Sequence, residues 1–107
     1  MKHWPPIRWP RRLPGVEADV LRQFGRPILL GSRLPVECVA GRVKAGDSKR
    51  HVADDYCIGI REVERAVAAM ASPWWRHFRR AARQRFVAYA GSPDAWWKAL
   101  PAEAFEP

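Results

Sequence analysis

Cysteine is scarce in this 107-residue chain, in which Cys38 and Cys57 are the only two. Two cysteines are too few for the disulfide framework that stabilises small secreted domains. Long apolar runs are missing as well: no stretch approaches the roughly 18 residues of a membrane-spanning helix, and the first residues contain no signal-peptide core. These absences predict a cytoplasmic protein whose thiols are reduced.

Motifs for catalytic chemistry are also missing from the sequence. The histidines and cysteines match no spacing of paired metal ligands, and the glycines lack the spacing and the following Lys-Ser/Thr of a phosphate-binding loop. The one adjacent acid pair, Asp54-Asp55, suits a turn or a helix start as well as it suits a cation. We therefore expect a binding protein that is not an enzyme and that holds no metal and no cofactor.

Positive charge, by contrast, is plentiful and unevenly placed. The 19 lysines and arginines, 15 of them arginine, outnumber the 11 acids and give a net charge of +8. Residues 1–14 have a net charge of +4 and residues 72–91 of +5, neither with any acid, whereas residues 15–71 and 92–107 have +1 and −2. Arginine pairs with phosphate and carboxylate and stacks on aromatic rings, although a GC-rich genome enriches it too. The two unopposed segments are the candidate binding surface.

Residues 1–14 hold four of the ten prolines. Proline fixes φ and removes a backbone donor, so this segment is predicted to be an extended arm that forms neither a helix nor a central strand. Its large apolar side chains would be costly to leave in water, so the arm is expected to dock on its own domain or on a partner. Trp4 and Trp9 are candidate aromatic anchors for such a partner. Residues 15–107 are predicted to form one small globular domain.

Apolar spacing and turn residues predict an α+β fold with a short antiparallel sheet. Helical spacing is found over 16–25, and apolar or β-branched runs predict strands at 27–31 and 36–43. Residues 50–60 fit either a helix or a strand, and the nearby glycines favour a strand at 56–60. Further helices are predicted at 61–71, at 73–90 after the start signal Ser72-Pro73, and at 93–99 after a second Ser-Pro pair.

Two of these predicted strands resemble part of a known domain. The run from Val36 to Val43, followed by a turn and by Tyr56 to Arg61, is similar to the closing hairpin of PilZ-type cyclic-dinucleotide receptor domains. Arg8 and Arg12 also match that family's Arg-x-x-x-Arg spacing. The family's Asp/Asn-x-Ser-x-x-Gly motif is missing, so the chain is not assigned to it.

The predicted helix at 73–90 separates its side chains into two kinds. At about 100° per residue, one narrow stripe is aromatic or small and is predicted to face the core; it consists of Trp75, Phe78, Ala82, Phe86 and Tyr89. Four arginines fall together on the neighbouring flank, which we call the arginine flank: Arg76, Arg79, Arg80 and Arg83. Trp74 lies off the buried stripe, so its ring is a third candidate anchor or a base-stacking platform.

These side chains suggest two kinds of partner. In the leading hypothesis the arginine flank, with Arg8, Arg11 and Arg12 of the arm, contacts nucleic-acid phosphates, and the log–log salt slope of binding is about −4. In the alternative, the protein is an interaction module, such as an assembly subunit or inhibitor of phage or mobile-element type, that docks on an acidic partner protein. Peripheral attachment to anionic lipid is a third and less favoured option. The oligomeric state stays open.

Overall fold

A computed structural model describes residues 4–106 of the chain, so the first three residues of the predicted arm lie outside the described part. A three-stranded antiparallel sheet precedes four helices, which confirms the predicted α+β fold. The strands are β1 (Ile7–Arg8), β2 (Val16–Ala18) and β3 (Pro27–Leu29), and the helices are α1 (Val36–Lys44), α2 (Lys49–Tyr56), α3 (Ile60–Ala71) and α4 (Trp75–Gly91). Single 3-10 turns occur at Trp96–Lys98 and Ala102–Phe105.

The proline-rich segment is part of the sheet and the core. Ile7 pairs with Ala18 in the antiparallel β1–β2 ladder, which makes β1 an edge strand, a position that the neighbouring prolines tolerate. Trp4 and Trp9 are 6% and 1% exposed, and Trp9 packs edge-to-face on Phe78 of α4 at a centroid distance of 5.0 Å. The prediction that Trp4 and Trp9 anchor a partner surface is therefore wrong, because the domain's own core takes up their rings.

The predicted helix at 16–25 is instead a strand followed by a loop. Val16–Ala18 lies between β1 and β3 and pairs Val16 with Leu29, so all three of its residues are buried. Leu21 and Phe24, which the helix would have turned inward, are 59% and 75% exposed. Pairing on both edges outweighs the helical spacing here, since the two ladders satisfy the backbone hydrogen bonds on both sides of the strand.

The predicted strand at 36–43 is helix α1, which also removes the hairpin that resembled PilZ-type domains. Val36 and Val39 are fully buried and lie three residues apart, which is helical spacing. Glu37 stands in the first turn, while Arg42 and Lys44 stand in the last, as the helix dipole favours. Burial of this face outweighs the low helix propensity of valine.

The predicted strand at 56–60 is also wrong, because α2 ends at Tyr56 and α3 begins at Ile60. The predictions at 61–71 and 73–90 are confirmed as α3 and α4, and β3 confirms most of the strand predicted at 27–31. The helix predicted at 93–99 is reduced to one 3-10 turn at Trp96–Lys98.

The loop between β2 and β3 contains a left-handed turn. Gln23, Phe24 and Gly25 have φ of 50°, 56° and 73° in succession. Two backbone hydrogen bonds close it, from Gly25 N–H to the Arg22 carbonyl at 2.9 Å and from Arg26 N–H to the Gln23 carbonyl at 3.1 Å. Left-handed backbone costs about 1–2 kcal/mol for each residue that is not glycine, and it is rarely adopted by consecutive residues. The fold therefore carries strain at Gln23 and Phe24.

Arg85 of α4 connects both ends of the described chain. Its guanidinium is almost fully buried and donates hydrogen bonds to the carbonyl oxygens of Pro5 and, at 2.9 Å, of Leu100. The Trp4 ring lies 5.4 Å from the same guanidinium. Burial lowers the pKa of Arg85 below its ordinary value, since desolvation disfavours the charged form. Arg85 is therefore used inside the fold, where it joins Pro5 and Leu100, and is not part of the exposed arginine flank.

Candidate functional site

Helices α2 and α3 are joined by a tight turn of three residues, 57–59. The side chain of Ser48 caps α2 by accepting a hydrogen bond from His51 N–H at 3.1 Å. Cys57 then adopts the left-handed conformation, and the amides of Cys57 and Ile58 return to the carbonyls of Asp54 and Ala53 at 3.2 and 3.0 Å. This hydrogen-bond pattern ends a helix abruptly and lets the next one start at once. We call this pair of packed helices, with the three-residue turn between them, the helix-turn-helix.

Helix α1 supports the helix-turn-helix from behind. Buried side chains of all three helices share one core, among them Val39, Val52 and Val63. At the surface, Arg42 near the end of α1 donates to Asp47 at 2.9 Å and to Asp55 of α2 at 2.7 Å. The hydrogen bond from Arg42 lowers the pKa of Asp55 below its ordinary value. These contacts hold α2 against α1.

The start of α3 is held by the loop that follows β3. A carboxylate oxygen of Glu62 accepts the backbone N–H of Ser32 at 2.7 Å. Gly31 leaves room for this carboxylate, since a Cβ at that position would lie 2.8 Å from it. Glu62 is therefore occupied within the fold, and its hydrogen bond holds the start of α3 against the loop, while Val63, Ala66 and Ala69 pack the inner face of the helix on the core.

The outward face of α3 is polar, with two arginines near its start. Arg61 and Arg65 are exposed and one helical turn apart, and Glu64 is the one other exposed side chain from 61 to 67. Arg65 lines a groove with Arg12, and the Arg12 guanidinium stacks 4.1 Å above the half-buried ring of Trp74. We call this surface the α3 face; it is defined by Arg12, Arg61, Glu64, Arg65 and Ala68.

The arginine flank is exposed as predicted, but it borders a different groove. Arg79 forms an ion pair with Glu37 of α1 at 3.0 Å. Arg79 and Arg83 line a groove with Phe24, Arg26 and Phe86. We call this surface the turn groove; it consists of the left-handed turn and the part of α4 from Arg79 to Phe86. Arg76 and Arg80 are also exposed, but they do not line the turn groove.

The remaining predicted site residues lie elsewhere. Arg8 is paired with the buried Glu17 across the β1–β2 ladder at 2.9 Å, and Arg11 is exposed. The basic residues of the arm and of α4 are thus divided: Arg12 belongs to the α3 face, and Arg79 and Arg83 belong to the turn groove.

Sequence reasoning missed the basic residues of the helix-turn-helix. Lys49 and Arg50 are exposed in the first turn of α2, and Arg61 and Arg65 are exposed on α3. The signal for these helices was the spacing by threes and fours of the apolar residues from Val52 to Met70, which continues through the turn; the prediction gave more weight to the nearby glycines and placed a strand at 56–60.

Two further observations concern the described residues, 4–106. No three histidine, cysteine, aspartate or glutamate side chains in this range converge in a way that could hold a metal ion. None of the helices in the same range combines the length and the apolar character needed to cross a membrane.

A family profile and a crystal structure are similar to this chain, and the profile covers β2, β3, α1, α2 and most of α3. Residues 16–68, from β2 into α3 and just under half of the chain, match the profile of a family described as a protein of unknown function, DUF433. A crystal structure of Rv2018 from Mycobacterium tuberculosis is similar at 33% identity and a TM-score of 0.50, over 58% of this chain and 29% of that one. The chain therefore corresponds to less than a third of that protein. Among curated proteins, no match was found.

Proposed function

We propose that this protein binds double-stranded DNA through its helix-turn-helix and has no catalytic role. The observation that carries the proposal is the three-residue turn between α2 and α3, followed at once by the exposed Arg61 and Arg65 on the outer face of α3. In helix-turn-helix proteins the second helix lies in the major groove, and residues near its start contact base edges. The net charge of +8 supports the same partner, since counterion release drives binding to a polyanion.

Specific side chains receive roles in this proposal. Arg61 and Arg65 are placed to read guanine edges or to contact phosphates, because a guanidinium can donate two hydrogen bonds to either. Lys49 and Arg50 are the first two residues of α2, where the helix dipole is positive, and we assign them to contact a phosphate of the DNA backbone beside the groove that α3 enters. Arg12 lines the same groove as Arg65, and we assign it to a further contact with the DNA backbone.

Replacing Arg61 and Arg65 together with alanine is expected to weaken DNA binding by about 100-fold or more. Each arginine that contacts a base or phosphate contributes about 1–3 kcal/mol, and the log–log salt slope should fall by about 2. Anisotropy titrations of a labelled duplex of mixed sequence, at several salt concentrations, would measure both quantities.

The matched control is the double change Arg76→Ala and Arg80→Ala, which removes the same charge from the arginine flank. It should weaken binding by less than about tenfold, since it acts only through the general field of the protein. A larger loss in the Arg76/Arg80 variant would instead place the contact on α4, and equal losses would show that only the net charge matters. Failure of the unaltered protein to bind duplex DNA at low salt would refute the proposal altogether.

A further inference from the structure

We infer that the turn groove is a second binding site, for an acidic segment of a partner protein that inserts an apolar side chain beside Phe24. The inference is independent of DNA binding, because the groove shares no residue with the α3 face. It rests on three observations at the same place: an exposed aromatic ring, strained backbone beneath it, and positive charge without matching acids.

The first observation is the position of Phe24. Its side chain is 75% exposed, and its ring meets that of Phe86 edge-to-face at a centroid distance of 6.3 Å. Phe86 is itself only half-buried. The two rings form one wall of the groove, and an apolar side chain in contact with both would remove them from water.

The second observation is the backbone that carries Phe24. A bulky residue at φ 56° is an outlier, and here it lies between two other residues with positive φ. The strain brings no burial for the Phe24 ring, so core packing does not explain it. Strained backbone of this kind clusters at ligand-binding sites, where it holds a side chain ready for contact.

The third observation is the charge around the two rings. Arg26, Arg79 and Arg83 line the groove, while Glu37 is the only acid in the lining and is already paired with Arg79. A partner segment with two or more carboxylates next to its apolar residue would complement this surplus. An acidic peptide with an apolar side chain fits this surface better than a nucleic-acid duplex does, because the bases of a duplex are stacked on one another and do not cover the two rings.

The test uses the full chain and two labelled peptides. One peptide has a single phenylalanine between glutamates, and in its control every glutamate is glutamine. The acidic peptide should bind with a Kd on the order of 10–100 μM, and the control at least tenfold more weakly. Backbone amide NMR shifts should move at 22–27 and 79–86. If neither peptide binds, or both bind equally, the inference is wrong.

Three variants separate the groove from general charge. Arg79→Ala with Arg83→Ala should weaken binding of the acidic peptide about tenfold or more, whereas Arg76→Ala with Arg80→Ala should change it by less than about threefold. Phe24→Asn should also weaken it about tenfold while Tm stays equal to or above that of the unaltered protein, because asparagine tolerates left-handed backbone.

These variants also keep the two proposals apart. The Arg79/Arg83 and Phe24 variants should bind duplex DNA within about tenfold of the unaltered protein. If the Arg76/Arg80 variant loses the peptide as strongly as the Arg79/Arg83 variant does, only the net charge matters and the groove has no role. That result would leave the DNA proposal unaffected.

Discussion

Replacement of Trp9 with alanine is expected to lower the free energy of unfolding by about 3–5 kcal/mol, a large part of the stability of a domain of this size. Trp9 is 1% exposed and packs edge-to-face on Phe78, so its removal leaves a large cavity between the first strand and α4. Urea denaturation followed by circular dichroism would measure the loss. A change below about 1 kcal/mol would show that the ring contributes little to the core.

A conservative change at the same position provides the control. Trp9→Phe keeps an aromatic ring against Phe78 and removes the indole N–H, which has no hydrogen-bond partner among the described residues. The expected loss is about 1–2 kcal/mol, because part of the lost volume is offset by removal of an unsatisfied donor. If Trp9 served only as a surface anchor, both variants would be as stable as the unaltered protein.

Gly25→Ala is expected to cost about 2–4 kcal/mol. The added Cβ would lie 2.7 Å from Cβ of Phe86, and φ at this position is +73°. Left-handed backbone costs alanine about 1–2 kcal/mol, and the forced shift of the Phe86 backbone adds about 1–2 kcal/mol more. Thermal unfolding should show a Tm lower by roughly 10 °C or more.

Gly41 offers the matched control for Gly25. It lies inside α1, and a Cβ there would meet no atom within 4 Å. Gly41→Ala should therefore stabilise the protein by about 0.5–1 kcal/mol, since alanine has the higher helix propensity. If Gly25→Ala were equally harmless, the left-handed turn would have to be able to relax away from α4.

The long helices were predictable because their signals are local. Ser72-Pro73 marks the region where α4 begins, and Trp75, Phe78 and Ala82 repeat at helical spacing and are buried, whereas Phe86 and Tyr89 are half-buried. A local pattern sufficed here because one face of the helix packs on the core along most of its length.

Helices α1 and α2 were not predictable by the same means. Cys57 takes a left-handed conformation that glycine usually signals, and the valines of α1 are typical of strands. Burial against α3 decides the form of α1, and a short sequence window does not contain that information.

The two binding surfaces were predictable only in part. Exposure of the arginine flank followed from the helical wheel, but the turn groove depends on Phe24 lying beside Phe86, more than sixty residues away. Likewise, the stacking of Arg12 on Trp74 joins distant segments. Such juxtapositions follow from the tertiary fold and have no signature in the spacing of neighbouring residues.

The pairing of Trp9 with Phe78 also has a consequence for synthesis on the ribosome. Phe78 lies 69 positions after Trp9, so at about 5–20 residues per second roughly 3–14 seconds pass between the synthesis of the two residues. During that time the Trp9 indole lacks its native partner in α4. A nascent chain stalled before residue 75 should therefore recruit chaperones that recognise apolar side chains, and one stalled well beyond residue 91 should not.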